Sequence, residues 1–353
     1  MSAQPMPAGL WEIPARHAPA LAQRLQHLID HKTKPPGSLG QLEALALQIG
    51  LVLGTEQPRI AQPGMLVFAA DHGIAEEGVS AFPQSVTWQM VENYLAGGAA
   101  VNVFARQHGC QLQVVDAGVK HEFGPRPGLL SHKIAWGSRN FAREAALTPA
   151  ECEQALACGH QLAQAQPGNL LLLGEMGIAN TSSAALLMHH FTQIPLAQCV
   201  GAGTGLDAAG VAHKLAVLQA ALQFHGPRRD PLAVLQTFGG LEIAMLCGAM
   251  LGAAQAGKLI LVDGFIVTSA LLAAHALAPQ ILDYCIFSHC SDEAGHAAML
   301  NFLGVQPLLK LGLRLGEGSA AALALPLLYS ACAFLSEMAS FDSAGVSGKL
   351  DPA

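Results

Sequence analysis

Six short apolar runs recur along the chain, separated by longer stretches in which apolar residues return at helical spacing. They are MLVFAADHG (65–73), LQVVDAG (112–118), LLLLGEMG (170–177), AQCVGAGTG (197–205), LILVDGF (259–265) and CIFSHCS (285–291). Each is a short continuous apolar segment that gives way to polar residues, and all but the last reach a glycine there. Buried strands alternating with helices predict an α/β architecture with a six-stranded parallel sheet flanked by helices. Residues 15–55 read as helical, broken at Pro35-Pro36-Gly37, with Ser38 placed to cap the next helix. Gly318 to Met338 reads as one long Ala/Leu helix able to pair with the N-terminal helices. This gives an expected division into a small helical part (1–60 plus 318–353) and a large α/β part (61–317), with the last dozen residues frayed.

In a parallel sheet, ligands bind at the carboxyl ends of the strands. Asp71, His72, Asp116, Glu175, Thr204, Asp263, Ser288, His289 and Ser291 fall at such ends and are the first candidates for chemistry. Composition narrows the choice. Hydrophobic residues make up 52% of the 353 and charged residues 12%, so much of the surface is expected to meet a partner subunit. The net charge of −7, without a basic block, argues against nucleic acid. The eight cysteines form no CxxC pair and read as buried thiols of a reducing compartment. Prolines and charges in MSAQPMPAGLWEIPARHAPA do not suit a signal peptide, and Leu241–Ala256 is broken by Glu242 and glycines. A cytoplasmic protein with no membrane span is expected.

Several motifs carry candidate chemistry. In GEMGIANTSSAALLM (174–188), Asn180, Thr181, Ser182 and Ser183 stand where a helix begins, offering hydroxyls and free N–H groups to a phosphate or serving as an ordinary cap. VGAGTGLDAAGVAHK (200–214) places Gly201, Gly203 and Gly205 where a backbone can approach an anion, with Lys214 as an added charge or a solvated helix lysine. It matches neither a Walker loop nor a dinucleotide fingerprint. Asp71 and His72 are adjacent on a strand and so point apart, which disfavours a shared metal. SHCSDEAGH (288–296) holds His289, His296, Asp292 and Glu293, better read as a strand end and helix cap than as a zinc site. Phe82 and Pro83 suit the walls of an apolar pocket. Glu175 and Glu317 each follow a glycine after an apolar run, and only Arg314 offers Glu317 a nearby cation. A carboxylate in apolar surroundings becomes a better proton acceptor near neutral pH; one at a helix N-terminus is simply favoured by the dipole.

KPPGSLG (34–40), ADHG (70–73), GEMGIANT (174–181), VGAGTGLD (200–207), DGF (263–265) and RLGEGSAAAL (314–323) together resemble the nicotinate-nucleotide:dimethylbenzimidazole phosphoribosyltransferase family. The resemblance implies a Rossmann-like sheet, a small helical domain from both chain ends and a homodimer whose site borders the partner. It implies transfer of phosphoribose from nicotinate mononucleotide to 5,6-dimethylbenzimidazole, with no metal and no cofactor. It implies Glu317 as the catalytic base and Glu175 as an assisting group. Phe82, Pro83, Gln89, Met90 and Leu315 would hold the azole, while Gly177, Asn180, Thr181, Ser182, Gly203, Thr204, Gly205, Lys214, Asp263, Ser291, Arg314 and Gly316 would contact the rest of the substrates. Phe82 replaces a serine found in some members, so the preferred azole is left open; Ser182 replaces a threonine found in many but keeps a hydroxyl, so phosphate binding is expected to survive. Two rivals stay open on sequence alone: a metal-dependent hydrolase using Asp71, His72 and His289, and a non-catalytic nucleotide-binding protein.

Overall fold

The computed structural model describes residues 9, 12–16 and 18–347. One parallel sheet is built from β1 (Gly64–Ala70), β2 (Gln111–Gly118), β3 (Leu129–Ser131), β4 (Leu170–Met176), β5 (Leu259–Val262) and β6 (Cys285–Phe287), in the order β3-β2-β1-β4-β5-β6. Every residue of β1, β4, β5 and β6 is buried, which is why their sequences run apolar continuously instead of alternating.

The helices before β4 are α1 (Pro19–Asp30), α2 (Gln41–Leu53), α3 (Val86–Ala96), α4 (Ala100–Gln107) and α5 (Pro149–Ala165). After it come α6 (Asn180–Thr192), α7 (Leu196–Cys199), α8 (Ala208–His225), α9 (Pro231–Phe238), α10 (Leu241–Gln255), α11 (Phe265–Leu277), α12 (His296–Leu303), α13 (Ser319–Glu337) and α14 (Phe341–Ala344). The α10 helix lies on β1, β2, β4 and β5 with α5 packed along it, and α3 contacts β1, β2 and β4. The α13 helix joins the two chain ends to the sheet by packing on α2, α4 and β4. Among the described residues it is the one helix long and apolar enough to cross a membrane, yet 56% of that stretch is buried in the protein.

Three expectations are corrected. Residues 197–205 are not a strand: Pro195 starts the short α7, and the glycines that follow turn through φ of +55° at Gly203 and +121° at Gly205, which no strand tolerates. The sixth strand is instead β3, three residues after a proline- and glycine-rich loop, too short to show a period. Ser38 does not cap α2, whose cap position is Gly40 with no side-chain cap; the Glu43 carboxylate instead holds the turn before the helix, accepting from Gly37 N–H at 3.2 Å and Leu39 N–H at 2.9 Å while pairing with Lys34 at 2.8 Å. The tail expected to fray begins with α14, held by a capping box from Ser340; residues 348–353, like the first eight on which the signal-peptide reading bears, lie outside the described residues.

A buried polar pair ties the sheet to α10. His72 Nε2 lies 2.5 Å from Glu242 Oε1, both side chains fully buried, and Ser183 Oγ is 3.2 Å from His72 Nδ1. Removing one member strands the other, at a typical cost of about 3–5 kcal/mol. Glu242→Ala is therefore expected to lower the denaturant midpoint far more than His72→Leu and Glu242→Leu combined, measured by urea unfolding.

Candidate active site

The sheet order makes β1 and β4 the point where connections depart in opposite directions, and a crevice opens there past the strand ends. A cavity of about 320 Å3 fills it, in the size range of small-ligand sites. Its apolar wall comes from Phe82, Val86 and Met90 on one side and Met176, Ile178, Phe265 and Ile266 on the other. Phe82 and Leu315 stand at the mouth, 51% and 56% exposed.

Glu317 lies at the inner end, on a loop with unusual backbone. Gly316, Glu317 and Gly318 all have positive φ, at +77°, +66° and +85°. Glycine adopts this freely; for glutamate it costs on the order of 1–2 kcal/mol, so the loop must be held. Gly318 N–H and Ala321 N–H donate to the two oxygens of Asp263 at 3.1 and 2.9 Å, and Ser319 N–H and Oγ donate to Gly316 O at 3.1 and 2.7 Å. Glu317 N–H points to Glu175 Oε1 at 3.4 Å. The loop crosses β4 so closely that a side chain at Gly174 would run into the Glu317 carbonyl, which explains the glycine inside LLLLGE.

Burial raises the Glu317 carboxyl to about 7; the Tyr94 hydroxyl opposes the shift and Asp263 adds to it. Glu175 is pushed further, to about 8, again chiefly by burial, with the Asn180 amide opposing and Glu242 and Asp263 reinforcing. Asn180 Nδ2 donates to Glu175 Oε2 at 2.6 Å. Burial also holds the Tyr94 phenol well above its ordinary value, aided by Glu317 and Glu175, so it stays protonated; its oxygen faces Glu317 without closing a well-formed hydrogen bond.

The opposite end is polar. Thr181 at the start of α6, Gly203 and Thr204 from the glycine loop, and Ser291, Glu293 and Arg314 surround it. Behind them Lys214, from α8, is buried and donates to Thr181 Oγ1 at 2.7 Å. Burial lowers its ammonium to about 8, with Glu293 opposing the shift. Two loops separated in sequence thus bring hydroxyls and backbone to the same volume, with the lysine held behind Thr181, which suits an anion.

Of the candidates read from the sequence, Phe82, Met90, Glu175, Gly177, Asn180, Thr181, Gly203, Thr204, Ser291, Arg314, Leu315, Gly316 and Glu317 line this cavity. Pro83, Gln89, Ser182, Gly205, Lys214 and Asp263 do not. Pro83, Gln89 and Gly205 are exposed outside it, Ser182 is buried within α6, Lys214 acts from behind Thr181, and Asp263 is turned toward the start of α13. The sequence reading missed Tyr94, took Glu293 only as part of a strand end and helix cap, and carried Phe265 only within the DGF motif; their approach to the site is made by the tertiary fold. Asp71 and His72 diverge, Asp71 accepting from Lys120 N–H at 2.7 Å while His72 faces Glu242. Among the described residues no group of three His, Cys, Asp or Glu is arranged to hold a metal ion. His296 accepts from Ser291 N–H at 2.8 Å and lies 3.0 Å from Thr268 Oγ1, the strand-end and cap role expected of that segment.

Residues 15–346 match the family described as Phosphoribosyltransferase, so this parallel sheet, with its polar-edged cavity and buried carboxylate, is the scaffold of a group-transfer enzyme of that class. Nicotinate-nucleotide–dimethylbenzimidazole phosphoribosyltransferases from Janthinobacterium sp. (strain Marseille) and Cupriavidus necator are 57% and 58% identical to the chain, each covering 93% of it and 96% of the relative. The crystal structure of CobT from Thermus thermophilus superposes with a TM-score of 0.90 at 42% identity, over 93% of this chain and 99% of that one. The chain belongs to the nicotinate-nucleotide:dimethylbenzimidazole phosphoribosyltransferase family and is a pentosyltransferase.

Proposed function

We propose that the protein transfers phosphoribose from nicotinate mononucleotide to 5,6-dimethylbenzimidazole, releasing nicotinate and forming α-ribazole 5′-phosphate for the nucleotide loop of cobalamin. The observation that carries this reading is a buried Glu317, raised to about 7, at the inner end of an apolar slot whose far end is built for an anion. The flat azole stacks among Phe82, Met90 and Phe265, and the phosphate docks at Thr181, Gly203 and Thr204 with Lys214 behind them. The unprotonated azole nitrogen attacks C1′ as the bond from C1′ to the pyridinium nitrogen breaks, its electron pair leaving with nicotinate. Attack from the face opposite the leaving group turns the β-nucleotide into an α-linked product. The azole becomes cationic, and Glu317 takes its N–H proton. Binding both reactants in line supplies the orientation that the reaction lacks in solution.

Glu175 assists while protonated. Its carboxyl is raised to about 8 and that of Glu317 to about 7, so between these values one is an acid and the other a base. The pair titrates together, so the pH profile reports both. Activity is expected to rise with pH through about 7 and fall again above about 8. Incubation with nicotinate mononucleotide and dimethylbenzimidazole, followed by chromatography for α-ribazole phosphate and nicotinate, tests the reading; no product would overturn it.

Phe82 at the mouth sets which base enters. Phe82→Ser is expected to shift the product ratio, in competition between dimethylbenzimidazole and adenine, by about tenfold toward the more polar base, the scale of one changed contact in an apolar pocket. The exposed Phe82 and Leu315 also suit a homodimer in which a partner covers the mouth. The eight free cysteines fit a cytoplasmic enzyme. The two-part organisation, with 1–60 and 318–353 set against 61–317, belongs to the same reading and is supported by α13 packing on α2.

A further inference from the structure

Asp263 lies at the end of β5 and is 2% exposed, yet it does not line the cavity. Both of its oxygens are spent on backbone: Oδ2 accepts from Gly318 N–H at 3.1 Å and Oδ1 from Ala321 N–H at 2.9 Å. Those groups are the residue after Glu317 and the first turn of α13, a helix whose own cap position, Gly318, has no side chain to offer. Asp263 therefore caps α13 from another strand. The residue it fixes is the one non-glycine of a three-residue left-handed loop. Nearby, His289 is also 2% exposed, its ring stands 5.9 Å from that of His296 and neither of its nitrogens makes a hydrogen bond. Ser288 Oγ donates to the Asp263 carbonyl at 3.1 Å, fixing the strand end beneath it.

We propose that Asp263 is a positioning residue that clamps the Gly316–Gly318 loop, and with it the Glu317 carboxylate, in the geometry needed for proton removal. This rests on the reading of Glu317 as the base. The second contact of the loop, Glu317 N–H on Glu175 at 3.4 Å, is long, and Ser319 bonds only within the loop itself. Asp263 is the group that ties the loop to the sheet. It touches no substrate in this account and acts only through Glu317.

The test is a double-mutant cycle on Asp263→Asn and Glu317→Gln, with kcat and KM measured for both substrates. Asparagine keeps one acceptor and presents an amide N–H to a backbone donor, so the clamp loosens without a cavity. Asp263→Asn is expected to lower kcat about tenfold or more, as a displaced catalytic group does, with KM for nicotinate mononucleotide changed less than about threefold. In the Glu317→Gln background the same change is expected to cost almost nothing further, because the group being positioned is gone. Losses that multiply, or a KM effect that matches the kcat effect, would overturn the clamp while leaving the Glu317 result standing. Should Asp263→Asn fail to fold, Asp263→Glu goes through the same cycle: a kcat loss that disappears beside Glu317→Gln supports the proposal, and an unchanged kcat or a multiplicative loss overturns it.

Discussion

Glu317→Gln is expected to lower kcat by a factor of about a hundred or more, the range for a removed general base, with nicotinate mononucleotide binding nearly unchanged. Glutamine is close to isosteric and keeps an oxygen in place, so the loop held by Asp263 and the anion end some distance away are undisturbed. What is lost is a proton acceptor whose basicity the fold has tuned. An exposed glutamate titrates near 4.5, whereas burial moves this one to about 7, where it is ionised at physiological pH and still basic enough to take a proton from an azole becoming cationic. Steady-state kinetics with binding measured by calorimetry separates the two effects. A variant turning over at the wild-type rate would remove Glu317 from the mechanism, and one that lost binding equally would make it a structural residue.

The second large effect lies at the other end. Lys214→Met is expected to raise KM for nicotinate mononucleotide by about 10- to 150-fold, the worth of a hydrogen bond to a charged group, with a smaller change in kcat. The lysine is 1% exposed, donates to Thr181 and is lowered to about 8 by burial, so in the proposed reading its charge, already stripped of water, acts on the phosphate from behind Thr181. A phosphate arriving at Thr181 and Gly203 gives it the partner that Glu293 now provides only partly. Equal losses for nicotinate mononucleotide and its dephosphorylated nucleoside, measured side by side, would show that the lysine does not act on the phosphate.

Much of this was legible because a parallel sheet writes itself as continuous apolar runs. β1, β2, β4, β5 and β6 announce themselves that way, and the residues after β4 lead directly to the crevice. Helix α13 shows as Ala/Leu spacing, and the left-handed loop before it shows as two glycines around Glu317. β3 is invisible because its three residues are only partly buried and so do not extend into an apolar run, unlike the equally short but buried β6, and 197–205 misleads because apolar residues and glycines look alike in a strand end and in a loop. Asp263 does stand at a strand end, but sequence does not say whether such a carboxylate turns toward the crevice or toward a neighbouring helix. Tyr94 and Glu293 reach the site from α3 and from the loop before α12, through packing that no local spacing encodes.

The most direct test is the pH dependence of kcat/KM for dimethylbenzimidazole in the wild type and in Glu317→Gln. The wild-type profile should carry an acidic limb near 7, and that limb should be missing from the residual activity of the glutamine variant, whatever the azole itself contributes to both curves. The same limb in both proteins would mean that another group takes the proton.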